Sequence, residues 1–196
     1  MYKKIILIHN INGGKNMKKI LYIISCLLIF CGCDMLDMNN TPTKQVEKFF
    51  NSYQTLDRDV LKQLDTIVNK EINLTTEQKE KYKEILKNHY EKLDYEVKEE
   101  TINGDKASVK TEIEVYDYTK NLRKADEMKL IHEEQFYDNG VYSEKLFQDY
   151  RLKVLKDTKD RVKYTLYITL TKIDGKWTID ELAELDQEKI LGIYVY

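Results

Sequence analysis

The sequence predicts an α+β domain in which N-terminal helices pack on an antiparallel sheet. Three observations support this prediction. Apolar residues recur at helical spacing from Pro42 to about Leu93. Around Tyr95 the apolar period falls to two, and alternating residues follow. Helical spacing returns over residues 119–160 before alternation resumes at Arg161, so the sequence predicts a helical insertion between two strand pairs.

Three helices are predicted before the first strand. The first begins with Thr41 as N-cap and Pro42 at the first helical position, the second begins near Asp59, and Thr75 and Gln78 form a capping box for the third. Each helix carries one apolar stripe, which we expect to face the core. The stripe residues are Val46, Phe49, Phe50 and Tyr53; Val60, Leu61, Leu64, Ile67 and Val68; and Tyr82, Ile85, Leu86, His89 and Leu93.

Two hairpins supply the predicted strands. In the first, residues 95–102 and 107–118 flank a turn-rich connection at 103–106, and in the second, residues 161–173 and 176–180 flank an Asp-Gly turn. One face of each long strand is apolar, so we expect one buried and one solvated face of the sheet. The residues expected on the buried face are Val109, Thr111, Ile113 and Val115, then Val162, Tyr164, Leu166, Ile168 and Leu170.

The predicted insertion, residues 119–160, consists of two charged helical pieces broken at Asp138–Gly140. Its apolar stripes are thinner than those of the earlier helices, so we expect it to pack on the sheet or over a cleft. The stripe residues are Leu122, Ala125, Met128, His132 and Phe136 in the first piece, and Leu146, Phe147, Tyr150 and Val154 in the second. Residues 191–196 are expected either to add a strand end or to have no regular secondary structure.

Residues 17–33 have the layout of a secretory signal. Lys18 and Lys19 provide a positive start, an apolar run spans Ile20–Phe30, and small residues follow at a cleavage site. The run is too short to cross a membrane as a helix. The sequence therefore predicts a signal peptide over residues 17–32 and export of the chain that follows.

The motif at Phe30–Cys33, spelled FCGC, resembles the lipobox of bacterial lipoproteins, although Phe stands where that family prefers Leu. In the family the last Cys is alkylated by diacylglycerol and becomes the first residue, so the resemblance implies lipidation at Cys33. Ile23–Cys26 also fits the motif, but the apolar run before Cys26 is too short to insert. An ordinary cleaved signal and an uncleaved anchor are the alternatives. Lipid chains would hold the protein on the extracytoplasmic face of the cell membrane.

The segments on either side of the signal are expected to lie outside the fold. Residues 1–16 do not resemble the start of a signal, and their Gly-Gly pair can be encoded by a ribosome-binding sequence just before Met17. We therefore expect translation to begin at Met17, which the codons GGA-GGN for that pair would support. Residues 33–41 are short and polar, as expected of a tether between lipid and domain. Residues 42–196 are then predicted to form a single domain.

Composition and charge exclude several classes of function. All three cysteines lie within residues 26–33, so we expect the rest of the chain to have no disulfide and no thiolate metal site. Residues 1–33 hold five lysines and no acidic residue, which leaves 27 basic and 34 acidic side chains and a net charge of −7. Such a domain is not expected to bind nucleic acid, or anionic lipid through its own surface.

The last hairpin, spelled KIDGKWTI over residues 172–179, and the helix that opens at Pro42 resemble the nuclear transport factor two-like (cystatin-like) fold, particularly its bacterial lipoprotein branch. The resemblance covers about residues 42–115 and 161–185. It implies a curved, cone-like antiparallel sheet closed by helices over a pocket. The residues expected to line that pocket are Phe50, Tyr53, Tyr164 and Trp177. The alternative is that these aromatic side chains fill the core, as they do in many domains.

Asp117 is the candidate acid of that pocket. It continues the apolar register of the second strand, which would direct its carboxylate inward, where burial would raise its pKa toward that of a useful base. Alternatively the strand ends earlier and Asp117 is solvated. No partner for this carboxylate is evident in the sequence, so no catalytic residue is assigned.

The sequence indicates no metal or cofactor site. His89 lies on a helical stripe and His132 precedes two glutamates, but neither has the spacing of a metal-binding helix. There is no nucleophile elbow and no glycine-rich phosphate loop. Both histidines are expected to have structural roles.

Two functions remain compatible with these patterns. The first is a non-catalytic, lipid-anchored domain that binds a small ligand, a cell-envelope component or a partner protein. The second is a pocket enzyme of isomerase or hydratase type that uses an inward Asp117 and an oxyanion-stabilising donor. The sequence favours the first, because it requires only the tether and the fold.

Overall fold

The computed structural model of this chain describes residues 40–195. The predicted extension (residues 1–16), the signal peptide (17–32) and the lipidation site Cys33 lie outside the described residues, as does most of the tether (33–41). The described part is an α+β fold with six α-helices, a four-stranded antiparallel sheet and a small two-stranded sheet. Asn40–Tyr196 forms one compact unit.

The helices and strands follow the predicted order. The helices are α1 (Pro42–Gln54), α2 (Arg58–Lys70), α3 (Thr76–Glu91), α4 (Thr119–Ile131), α5 (Glu144–Lys156) and α6 (Glu184–Leu191), with a 3₁₀ turn at Glu133–Phe136. The strands are β1 (Asp94–Asn103), β2 (Lys106–Tyr116), β3 (Tyr137–Asp138), β4 (Val141–Tyr142), β5 (Arg161–Ile173) and β6 (Lys176–Ile179).

Local sequence signals place the starts of the first three helices close to their predicted positions. The Thr41 side chain accepts a hydrogen bond from the backbone N–H three residues later, and Pro42 opens α1. Asp57 is the N-cap of α2. Thr75 and Gln78 form the complete capping box of α3. These side chains satisfy backbone N–H groups that a helix end leaves unpaired.

The four long strands form an antiparallel sheet in the order β1-β2-β5-β6. The predicted alternation is confirmed, because one face of β2 and β5 is buried while the other is partly or fully exposed. Helix α1 contacts β1, β2 and β6, and α3 and α6 contact β2. The buried residues of the two central strands are Ala107, Val109, Thr111, Ile113, Val115, Tyr164, Leu166, Ile168 and Leu170.

Strand β1, at one edge of the sheet, is charged and carries a bulge. Its register against β2 shifts between Val97 and Glu99, so Lys98 is the extra residue. Past the bulge, Glu100 pairs with a buried position of β2. Its carboxylate accepts hydrogen bonds from the backbone N–H and the hydroxyl of Thr43, at 2.8 and 2.6 Å. A carboxylate at the N-terminus of α1 also interacts favourably with the helix dipole.

The helical insertion between β2 and β5 packs mainly on helix α3. Helix α5 contacts α3, and α4 contacts α5. A small apolar cluster at this junction is separate from the main core and consists of Ile85, Tyr118, Leu152 and Leu155. The predicted break at Asp138–Gly140 is a short hairpin formed by β3 and β4, and the sequence did not predict its strands.

Strand β2 ends earlier than predicted, at Tyr116 instead of residue 118. The backbone N–H of Asp117 still donates to Asp160 O at 2.9 Å, but that of Tyr118 donates to Gly192 O, also at 2.9 Å. The chain therefore leaves the sheet at Asp117 and enters α4 one residue after Tyr118.

Helix α6 was not predicted. Its N-cap, Ala183, makes no side-chain hydrogen bond, and Ile190 is the one buried residue along its length. An N-terminal cap and an apolar stripe, two signals that reveal a helix in a sequence, are therefore missing. The helix ends at Gly192, which has the left-handed conformation with φ +69°.

Candidate functional site

The four aromatic residues predicted to line a pocket belong to the main core. Phe50 is fully buried and stacks on Tyr95, with the ring centroids 5.1 Å apart. Tyr164 and Trp177 are 5% and 8% exposed. Tyr53 is also buried, but it lines a surface groove between α1 and α2. All four belong to one apolar cluster, which is the alternative that the sequence left open.

Asp117 does not continue the buried register of β2, because the strand ends before it. Its Oδ1 accepts hydrogen bonds from the backbone N–H of Thr119, at 3.1 Å, and from the Thr119 hydroxyl. The carboxylate therefore caps the first residue of α4. Asp117 does not line any of three concave regions formed by residues 40–195.

The three concave regions differ in size and enclosure. The α1–α2 groove, lined by Phe49, Tyr53 and Tyr90 among others, has a volume of about 540 Å³. The α3–α5 groove measures about 850 Å³ and carries a mixed rim of lysine and acidic side chains. The insertion cavity is the most enclosed and measures about 130 Å³. It is defined by Glu71, Tyr82, Tyr118, Arg151, Leu152 and Leu155.

Helix α5 supplies one wall of the insertion cavity through a set of residues at helical spacing. Gln148, Arg151, Leu152 and Leu155 lie at i, i+3, i+4 and i+7, so they share one face of the helix. The sequence predicted another stripe for this helix, and that prediction is wrong in part, because Leu146 is 38% exposed. Leucines from α3, α4 and α6 complete the apolar wall; they are Leu86, Leu122 and Leu191.

Two opposite charges lie among these apolar walls. Arg151 is partly buried on α5, and Glu71 follows the last residue of α2. Neither side chain forms a hydrogen bond or an ion pair with any residue in the range 40–195. The Nε atom of Arg151 is fully buried and has no hydrogen-bond partner among those residues. Buried polar groups are almost always satisfied, so this nitrogen marks the cavity as a candidate binding site.

Two tyrosines add hydroxyl groups to the insertion cavity. Burial and, to a smaller degree, the nearby Glu71 carboxylate raise the pKa of Tyr82 to about 12, while Arg151 opposes the rise. Burial also raises the pKa of Tyr118. Both phenols therefore stay protonated at neutral pH and can donate hydrogen bonds. Within residues 40–195, neither hydroxyl has a hydrogen-bond partner.

His89 is buried beside this region and is neutral. Burial lowers its pKa to about 4, although the hydrogen bond from its Nε2–H to Ile190 O, at 2.8 Å, favours the charged form. Its Nδ1 is buried without a partner among the described residues. His132 is exposed on the insertion, 3.4 Å from Glu134, so its predicted place on an apolar stripe is wrong. No group of three or more His, Cys, Asp or Glu side chains in residues 40–195 is arranged to hold a metal ion.

The chain matches no protein-family model, no curated protein and no solved structure. Among the helices of residues 40–195, none is both long enough and apolar enough to cross a membrane.

Sequence reasoning missed the residues that make the insertion cavity distinctive. Arg151 and Glu71 are ordinary charged residues of a chain in which about a third of the residues are charged. One signal was present, because Gln148, Arg151, Leu152 and Leu155 have helical spacing on α5. A polar residue within such a set can indicate a polar group inside an apolar wall, but the sequence does not show that Glu71 lies across from it.

Proposed function

We propose that this protein is a non-catalytic, lipid-anchored domain of the extracytoplasmic membrane face that binds a small ligand in the insertion cavity. The single observation that carries the binding role is the buried Nε of Arg151, which has no hydrogen-bond partner among residues 40–195 and belongs to a residue that lines a largely apolar cavity. The lipobox-like motif that ends at Cys33 supports the anchoring role.

We infer further that the sheet and its covering helices form the curved, cone-like arrangement of nuclear transport factor two-like domains. Support comes from the element order, with three helices before the first hairpin, and from the helix α1 that covers one face of an antiparallel sheet. Such folds host many functions, so the fold adds no argument about the ligand.

The enzyme alternative finds no comparable observation. Asp117 is held by Thr119 at the start of α4 and lies outside the three concave regions. A general base must reach the proton that it abstracts. The position of Asp117 therefore gives no support to the isomerase or hydratase alternative.

The anchoring role is tested by intact mass spectrometry of the protein from bacterial membranes. We expect a mass that starts at Cys33 and includes a diacylglyceryl group, and we expect Cys33→Ala to lose it. Cys26→Ala is the matched control and should keep the modification. An unmodified mass in the soluble fraction would overturn the anchoring role and leave the cavity argument standing.

The binding role is tested separately with benzene, because an apolar cavity of about 150 Å³ is large enough to hold it. We expect benzene to shift the ¹H–¹⁵N resonances of Leu122, Leu152 and Leu155, which line the insertion cavity. Resonances of β1 serve as the control and should not move. If benzene leaves the cavity resonances unchanged, the proposed ligand site is wrong.

A further inference from the structure

The insertion cavity holds one positive and one negative side chain that are not paired with each other. Arg151 and Glu71 both line it. The Glu71 carboxylate raises the pKa of the Tyr82 phenol, and Arg151 lowers it. The separation of their charged atoms exceeds 4.0 Å, because no ion pair joins them. An ion pair inside the protein would have been the simplest way to satisfy both groups.

Arg151 and Glu71 are both partly buried, and the lack of a partner is costly for the part of each side chain that has lost contact with water. Removing a charged group from water is unfavourable unless it is paired and hydrogen-bonded. The Nε of Arg151 is already withdrawn from solvent and lacks a partner in residues 40–195. A ligand that supplies an anionic group to Arg151 and a cationic group to Glu71 would satisfy both side chains at once.

The size of the cavity limits the rest of the ligand. Its volume of about 130 Å³ is close to that of the roughly 150 Å³ cavity that holds benzene. Leu86, Leu122 and Leu155 offer apolar surface for a short hydrocarbon body. The hydroxyls of Tyr82 and Tyr118 offer two further donors to an anionic group.

We propose that the insertion cavity binds a small zwitterion with an apolar body, of the class of apolar α-amino acids. Arg151 binds the carboxylate of the ligand, and the planar guanidinium matches a carboxylate in two parallel hydrogen bonds. Glu71 binds the ammonium group, and the leucines enclose the side chain. This inference rests on the proposed ligand-binding role of the same cavity.

The test is isothermal titration calorimetry at pH 7 with three compounds that share one hydrocarbon body. L-leucine has both charges, 4-methylpentanoate lacks the ammonium group, and 3-methylbutylamine lacks the carboxylate. We expect leucine to bind, and each singly charged analogue to bind at least about tenfold more weakly, because each loses one charge-assisted interaction.

Variants assign each charge to a side chain. Arg151→Met should weaken leucine at least about tenfold and leave 3-methylbutylamine unchanged, while Glu71→Gln should weaken leucine and leave 4-methylpentanoate unchanged. The matched controls are Arg123→Met and Glu127→Gln, which change exposed residues of α4 and should have no effect. Circular dichroism of each variant confirms that the domain is folded.

Three outcomes would overturn the inference. Equal affinity for leucine and both analogues would show that the cavity does not recognise charge. Tight binding of 4-methylpentanoate alone would remove Glu71 from the site. If leucine does not bind but benzene shifts the cavity resonances, the zwitterion is rejected and the ligand cavity is kept. If leucine does not bind and benzene causes no shifts, both proposals are rejected.

Discussion

The domain has two regions, the sheet side, which comprises α1–α3 and the four-stranded sheet, and the helical insertion between β2 and β5. These two regions bury their apolar residues to very different degrees. On the sheet side, Phe50, Val109, Leu166 and Ile168 are completely buried in one continuous core. On the insertion, Leu130 is 84% exposed, and the cluster that joins it to α3 is small. The comparison indicates that the sheet side carries most of the stability, while the cavity lies at the more loosely packed boundary, where local opening costs least.

The largest expected difference between the two regions comes from removing one phenyl ring in each. Phe50→Ala should lower the free energy of unfolding by about 3–5 kcal/mol, because it leaves a cavity in the packed core. Phe147→Ala, on α5, removes a side chain that is 4% exposed, but should cost less than half as much because the insertion can relax. Urea unfolding measures both, and equal losses would contradict the comparison.

Two glycines with positive φ provide the next test. A Cβ at Gly192 would overlap the backbone oxygen of Tyr116, whereas a Cβ at Gly140 meets nothing within 4 Å among the described residues. Gly192→Ala should therefore cost about 3 kcal/mol, from the left-handed conformation and from strain against β2. Gly140→Ala, in the insertion hairpin, should cost about 1 kcal/mol, from the conformation alone. Thermal unfolding of the two variants measures the difference.

The buried His89, on the sheet side, predicts that the free energy of unfolding depends on pH. The pKa of His89 is about 4 in the folded protein and about 6.5 in the unfolded chain. Between these values only the unfolded chain binds the proton, so its contribution to stability is complete above pH 6.5 and declines as the pH falls toward 4. From pH 6.5 to 4.5 the loss should be about 2 kcal/mol.

Urea unfolding at the two pH values measures this loss against matched variants. His89→Gln should reduce the pH dependence by that amount, and His132→Gln, on the exposed insertion, should leave it unchanged. If His89→Gln keeps the pH dependence of the wild-type protein, the loss arises elsewhere. An NMR titration of the wild-type protein should also show His89 neutral down to about pH 4.

The smallest expected effect concerns the contact between the two regions. Gln78 is 1% exposed, and its Nε2 donates to Lys145 O at 2.9 Å and to Asp149 Oδ1 at 3.0 Å, both on α5. Gln78→Ala should cost about 2 kcal/mol, because it removes half of the capping box and both hydrogen bonds to α5. Thr75→Ala removes the cap alone and should cost about 1 kcal/mol. Hydrogen exchange of α5 should accelerate in the first variant only.

The sequence predicted the sheet side well, because there each local signal agrees with the tertiary environment. The Thr41 cap, the Thr75–Gln78 capping box and the alternation of β2 and β5 all appear as predicted. Every second residue of a half-buried strand points to the buried face, so the alternation of apolar and polar residues in the sequence identifies that face directly. Helix α6 carries neither signal, and it is held instead by backbone contacts to residues distant in the sequence, such as Tyr118 to Gly192.

The insertion cavity could not be predicted from the sequence, because it depends on which distant residues lie close together in the fold. Phe50, Tyr164 and Trp177 fill the core, and their aromatic character does not distinguish that role from a pocket wall. Glu71 and Arg151 are 80 positions apart in the sequence, and they share a cavity because the insertion folds back onto α3. A single sequence contains no local pattern that shows that two distant residues line the same cavity.

The charged edge strand has a consequence for crowding. An exposed strand edge can pair with the same edge of another molecule and start aggregation. In β1, Lys98 forms the bulge and pairs with Glu96 at 2.5 Å and Glu112 at 3.1 Å, so a second strand would have to displace these charges. Lipid anchoring would confine many copies to a thin layer, where they meet often. Because the charged β1 edge resists strand pairing, neighbouring copies on the membrane would remain separate and would not assemble into fibres.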